Sequence, residues 1–93
     1  MIKSFRDQRT QDLFAVGYSL GVPVDLAWRA AKRLERIDRA TSVGELRYPR
    51  GYRLHKLRGD RADQYAISVN RQWRICFRFE DGHAFDVEFC DYH

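Results

Sequence analysis

The sequence predicts an α+β domain in which two N-terminal helices pack on one face of a twisted, mostly antiparallel sheet of four to five strands. Three observations carry that prediction. Before residue 40, apolar residues recur every three or four positions, the spacing of an amphipathic helix. Beyond Gly51 the pattern changes to short β-branched and aromatic runs separated by turn residues. A chain of 93 residues is long enough for one hydrophobic core and too short for two, so residues 1–93 are read as a single domain.

Ile2 to Phe5 is a short apolar stretch that reads as a first strand. A helix then starts between Asp7 and Thr10, either of which can cap it, and runs to about Tyr18, where glycines break the pattern. The second helix opens at Pro23, which fits a first helical turn, with Asp25 at the positive end of the helix dipole. Its apolar stripe is Ala27, Ala30, Ala31, Leu34 and Ile37, and a second face carries Arg29, Lys32, Arg33 and Arg36 at the same spacing. That basic stripe is either a solvated face or an RNA-docking surface. Trp28 lies on neither stripe, and is either covered by a neighbouring helix or kept for a partner. Residues 41–51 read as irregular. Four strands follow, Tyr52–Leu57, Gln64–Val69, Trp73–Glu80 and Ala84–Cys90, with turns at Gly59-Asp60, Asn70-Arg71 and Asp81-Gly82-His83.

Burial fixes a register for the last hairpin. A two-residue turn at Asp81-Gly82 sets Phe77 opposite Asp86 and Ile75 opposite Glu88. A three-residue loop pairs Phe79 with Phe85, Phe77 with Val87 and Ile75 with Phe89 instead. Only the second keeps the apolar residues on one face, because a one-residue slip reverses every side chain. It also places Arg78 opposite Asp86, Cys76 opposite Glu88 and Arg74 opposite Cys90, on a polar face left partly open.

Composition narrows the function classes. Apolar and charged fractions of 44% and 32% are those of a water-soluble domain, and no apolar run approaches the ~20 residues of a membrane span. The N-terminus lacks the apolar block of a secretion signal, so the expected location is the cytoplasm. Cys76 and Cys90 have no metal or disulfide spacing and are expected to act as small apolar residues. Of 17 basic residues, fourteen are Arg, and the net charge is +4. Arginine grips phosphate through a planar fork where lysine offers a point charge. The chain is therefore expected to meet a polyanion, most plausibly nucleic acid.

The last strand leads into Asp91-Tyr92-His93, a carboxylate, a phenol and an imidazole at the rim of the predicted sheet. Met1-Ile2-Lys3-Ser4-Phe5, the segment Tyr52-Arg53-Leu54-His55-Lys56-Leu57-Arg58-Gly59-Asp60-Arg61, the segment Ser68-Val69-Asn70-Arg71-Gln72-Trp73-Arg74-Ile75 and Asp91-Tyr92-His93 together resemble the HigB toxins, in order and over essentially the whole chain. These toxins belong to the RelE/ParE superfamily of bacterial toxin–antitoxin systems. The resemblance implies a RelE-like fold and a ribosome-dependent mRNA endonuclease that cuts messages in the decoding site. It implies as partners the 70S ribosome with its rRNA, mRNA, and a helix-turn-helix antitoxin, HigA, and it implies no metal or other cofactor. In that reaction a 2′-hydroxyl attacks the adjacent phosphorus, leaving a 2′,3′-cyclic phosphate and a free 5′-hydroxyl.

Such a reaction needs a base, positive charge for the phosphorane oxygens, and an acid for the departing 5′-oxygen. His55 and His93 are the candidate acid and base, because imidazole as a class titrates near pH 6.5. Arg74 and Arg58 are expected to hold the scissile phosphate, with Arg61 and the second-helix stripe of Arg29, Lys32, Arg33 and Arg36 as further RNA contacts. Asp91 is expected to orient a histidine, and Tyr92 to stack on a base or bond the phosphate. Two rivals remain at this stage: a ParE-like inhibitor that binds DNA gyrase, and a non-catalytic RNA-binding module using the Arg-rich surface alone.

Overall fold

The computed structural model describes residues 1–92. It is a four-stranded antiparallel sheet with two helices against one face. Helix α1 spans Gln8–Val16 and α2 spans Val24–Arg39; the strands are β1 His55–Lys56, β2 Tyr65–Ser68, β3 Trp73–Glu80 and β4 His83–Asp91, in the order β1-β2-β3-β4. Among the described residues, no helix is long and apolar enough to cross a membrane.

Asp7 caps α1, accepting from the Thr10 backbone N–H at 2.8 Å and from its hydroxyl at 2.6 Å. The helix ends at Val16 rather than Tyr18, because Gly17 adopts the left-handed conformation (φ 75°) and its N–H returns to the Leu13 carbonyl. Helix α2 buries Ala27, Ala30, Leu34 and Ile37, while Ala31 sits at the margin of that stripe. Residues 41–51 are partly ordered as two 3-10 turns, Val43–Arg47 and Arg50–Tyr52. The expected strand from Tyr52 is cut to two residues, since Tyr52 ends a 3-10 turn and Arg53 at φ 50° redirects the chain. The Ile2–Phe5 stretch forms two isolated parallel bridges to β4, at Ala84 and Val87, rather than a continuous fifth strand.

The reason for that interruption is a β-bulge, and it also revises the hairpin. Near the turn the register is that of a two-residue loop, with Glu80 opposite His83, Phe79 opposite Ala84 and Arg78 opposite Phe85. Asp81 (φ 51°) and Gly82 (φ 80°) make the turn; a Cβ on Gly82 would lie 3.2 Å from the Thr41 carbonyl oxygen. Further along, Cys76 faces Glu88, Ile75 faces Phe89 and Arg74 faces Cys90, as burial requires. One extra residue on β4 reconciles the two ends: Asp86, at φ 54°, is the bulge. Its N–H donates to the Ser4 Oγ at 2.8 Å, and its carboxylate accepts from Arg78 Nε at 3.0 Å. The expected pairing of Phe79 with Phe85 therefore does not form. Phe85 turns to the open face, under the Arg78 guanidinium (5.0 Å).

The core lies between the helices and the inward row of the sheet: Leu13, Leu34 and Ile37 against Ile67, Ile75, Phe77, Val87 and Phe89, all fully buried. Helix α1 also grips the backbone of β4 just before its last residues. Thr10 Oγ1 accepts the Phe89 N–H at 2.9 Å, Arg9 donates to the Phe89 carbonyl at 2.8 Å, and the Arg9 guanidinium lies over the stacked rings of Trp73 and Phe89. Thr10→Val keeps the volume and removes the acceptor. It is expected to lower the unfolding free energy by about 1–3 kcal/mol, the desolvation cost of an orphaned buried N–H, as measured by chemical denaturation.

Candidate active site

The face of the sheet away from the helices is built by alternation. Because β1, β2 and β3 pair in strict register, His55, Ala66, Cys76 and Glu88 form one cross-strand row, and Ser68, Arg74 and Cys90 the next. Beyond β4 the Tyr92 N–H donates to the Gln72 carbonyl at 2.9 Å, which continues the ladder and returns Tyr92 to the same face as Cys90. An open cleft of about 720 Å³ lies over the end of these rows, lined by Arg53, His55, Ser68, Asn70, Arg71 and Tyr92 together with Gly51 and Val69. Two of these residues are arginines and none is acidic.

Two predicted site residues, His55 and Tyr92, line the cleft, and a third, Arg74, lies against Tyr92. His55 Nδ1 lies 2.7 Å from the Arg53 carbonyl oxygen. A carbonyl only accepts, so Nδ1 carries the proton and the Nε2 lone pair of the neutral ring is left for chemistry. Tyr92 is hydrogen-bonded through its hydroxyl to the Ser68 Oγ. The Arg74 guanidinium lies 4.9 Å from the Tyr92 ring centroid. Its Nε is buried and has no hydrogen-bond partner among the described residues. A buried, unanswered donor on a cation is unfavourable unless a ligand completes it.

Asp91 is separated from this group by register. It stands opposite Trp73, whose row faces the helices, and its carboxylate accepts from Gln72 Nε2 at 3.0 Å. It is thus placed to hold the end of β4 to the β2–β3 turn. His93, the remaining predicted acid/base residue, lies outside the described residues.

The predicted RNA-contact residues divide. Arg58 and Arg29 are exposed, and Lys32 is exposed with its ammonium 5.6 Å from the ring of Trp28, itself 63% exposed and covered by no neighbouring helix. Arg61 is engaged by Glu88 at 3.0 Å; that hydrogen bond, ahead of an opposing burial effect, raises the guanidinium pKa. Arg33 donates from Nε to the Ser68 carbonyl at 2.7 Å and lies over the Tyr52 ring at 4.7 Å. Burial lowers its pKa, Tyr52 opposing and Arg29 adding. Arg36 flanks the same ring at 5.8 Å and donates to the Tyr48 carbonyl at 3.0 Å. Arg33 and Arg36 therefore clamp Tyr52 and the floor of the cleft to α2, a structural duty that helical spacing does not reveal. Sequence reasoning missed Ser68, Arg53 and Arg71 as cleft residues. Their only signal was that they sit inside the segments that resemble the toxin family.

A family described as RelE-like toxin of the type II toxin–antitoxin system HigB matches residues 3–93 of this chain. Endoribonuclease HigB of Proteus vulgaris is 43% identical over 93 residues, covering 100% of both chains. Toxin HigB-1 of Vibrio cholerae serotype O1 is 32% identical over 66 residues, 71% of this chain and 70% of that one.

Proposed function

Because the chain belongs to the HigB family of RelE-like toxins of type II toxin–antitoxin systems, we propose that it is an endoribonuclease that cuts mRNA in the ribosomal A site. The family also implies a cognate antitoxin, here proposed to be a HigA-like helix-turn-helix protein. The observation that carries the reading is the open-face cluster itself: a histidine with a fixed tautomer, a tyrosine held by a serine, and an arginine with a buried free donor, beneath a cleft whose lining is basic.

In the proposed reaction the scissile phosphate sits over Arg74, whose fork neutralises the oxygens as the phosphorane gains charge. His55 takes the 2′-hydroxyl proton on Nε2, its Nδ1–H remaining on the Arg53 carbonyl. The 2′-oxygen bonds to phosphorus, the bond to the 5′-oxygen breaks, and His93 returns a proton to that leaving oxygen. Tyr92 supplies a stacking surface and a hydroxyl near the phosphate, and Asp91 secures the strand end that carries both. Arg58, Arg29 and Lys32 are exposed cations suited to the rRNA and mRNA backbone. The ribosome supplies the attack geometry, which is worth roughly 7–11 kcal/mol of barrier, so naked RNA is expected to be cut poorly.

A message carrying a 2′-O-methyl group at the cut nucleotide tests the chemistry. The unmodified message should yield fragments ending in a 2′,3′-cyclic phosphate and beginning with a 5′-hydroxyl, and the methylated one should stay whole. Cleavage of the methylated message would mean that water, not the 2′-hydroxyl, is the nucleophile. Ser68→Ala frees the Tyr92 hydroxyl without touching the phosphate. It is expected to slow single-turnover cleavage by about two- to tenfold, in line with the ~0.5–1.5 kcal/mol of one neutral hydrogen bond, while the protein stays folded.

A further inference from the structure

Two thiols outside the proposed chemistry lie beside its arginine. Cys76 is fully buried and Cys90 half-buried, both on the open face of the sheet. Register makes them diagonal neighbours, since Cys76 faces Glu88 and Cys90 faces Arg74. Diagonal pairs usually stand too far apart to interact closely, yet here the two Sγ atoms are 3.2 Å apart. A disulfide needs about 2.05 Å, so the sulfurs have roughly an ångström left to travel on rigid, hydrogen-bonded strands. The groups facing them are Arg74 across from Cys90, and Glu88 with its partner Arg61 across from Cys76.

The two thiols are chemically unequal. Donation from the Cys76 S–H, together with Arg74 and against burial, brings the Cys90 thiol down to about 7, and the same hydrogen bond with burial pushes Cys76 up. Cys90 is thus the readier of the two to ionise near neutral pH, and Cys76 is the thiol left to resolve an oxidised neighbour.

We propose that Cys76 and Cys90 are a redox site in which hydrogen peroxide forms an intrachain disulfide, removing from Arg74 the thiolate that competes with phosphate for its guanidinium. The Cys90 thiolate attacks one peroxide oxygen, the O–O bond breaks, and the departing hydroxide takes a proton to become water. Cys76 then attacks the sulfenic sulfur, the S–O bond breaks, and a second water leaves with the thiol proton. Both sulfurs are oxidised and the peroxide is reduced. The consequence for phosphate rests on the reading of Arg74 given above. At pH 7.5 a thiol of pKa about 7 is largely anionic, so oxidation should raise cleavage several-fold.

The test is intact-mass spectrometry and free-thiol titration of the whole protein after hydrogen peroxide, alongside ribosome-dependent cleavage at pH 7.5. The expected result is a monomer lighter by two hydrogens, with no free thiol and faster cleavage that dithiothreitol reverses. Cys76→Ser should form no intrachain disulfide, its Cys90 gaining oxygen instead, and Cys90→Ala should cleave at the raised rate with or without peroxide. Thiols that stay titratable, sulfinic acid, or cross-linked dimers would overturn the proposal. A disulfide that leaves cleavage unchanged would overturn its link to Arg74. Absence of cleavage in every form would instead sink the nuclease reading, while mass and thiol count still decide the oxidation.

Discussion

Arg74→Ala is expected to lower message cleavage by about 10²–10³-fold, the loss seen when one preorganised donor to a developing oxyanion is removed. The size follows from position. Arg74 is in the middle of the sheet, flanked by Ser68 on β2 and Cys90 on β4, so its fork is aimed by backbone ladders on both sides. The same substitution should hardly change stability. Its Nε bonds no described residue, and what is lost is a contact with the Tyr92 ring, worth about 0.5–1 kcal/mol, together with the guanidinium's interaction with the half-buried Cys90 thiol opposite it. An arginine kept for structure would give the opposite pattern, as Arg33 should. Its loss strands the Ser68 carbonyl and releases Tyr52, so Arg33→Ala is expected to lower the melting temperature. Arg74→Lys should recover part of the rate at most, because a point charge cannot replace a bidentate fork. Single-turnover cleavage and thermal unfolding of the same preparations check both halves.

His55→Ala is expected to slow cleavage by about 10²–10⁴-fold, the usual contribution of a positioned general base. The sign of its pH dependence is set by the proton it must accept. With Nδ1–H fixed on the Arg53 carbonyl, only the neutral ring has a vacant Nε2. The rate should therefore rise with pH to a plateau, because only the unprotonated ring can accept the 2′-hydroxyl proton. In His55→Ala that limb should vanish, leaving a flat or falling profile. A variant as slow as expected that keeps the rising limb would assign the base to another group. His55 lies on a two-residue exposed edge strand, so its removal should leave the fold intact.

The parts of the fold that sequence made legible are those set by local periodicity. Asp7 and Gly17 bracket α1, the Ala27-Ala30-Leu34-Ile37 stripe is the buried face of α2, and Trp73–Glu80 is a strand from end to end. What stayed hidden depends on tertiary contacts. The last hairpin follows turn preference near Gly82 and burial near Ile75, and no single register satisfies both. The bulge at Asp86 does, because Ser4 and Arg78 are present to take its backbone and side chain. At the site, His55, Arg74 and Tyr92 were singled out because they stand in the segments that resemble the toxin family, and the two-residue period of the last hairpin placed only Arg74 on the open face. The rotation of Asp91 toward the Trp73 row follows from the same period. Ser68 was not readable, since a buried serine in a strand carries no signal until its neighbour across the sheet is known. The part that Arg33 and Arg36 play at Tyr52 was hidden because helical spacing records which residues share a face, not what that face touches.

Primer extension on a defined message with purified ribosomes, run with the protein, with His93→Ala and without ribosomes, bears on the nuclease reading before any other experiment. Breaks within codons that require ribosomes and disappear in the variant are expected. A message left whole by the wild-type protein on ribosomes, or cut equally well when ribosomes are omitted, would contradict that reading, and an uncut message would make DNA gyrase the next target to assay.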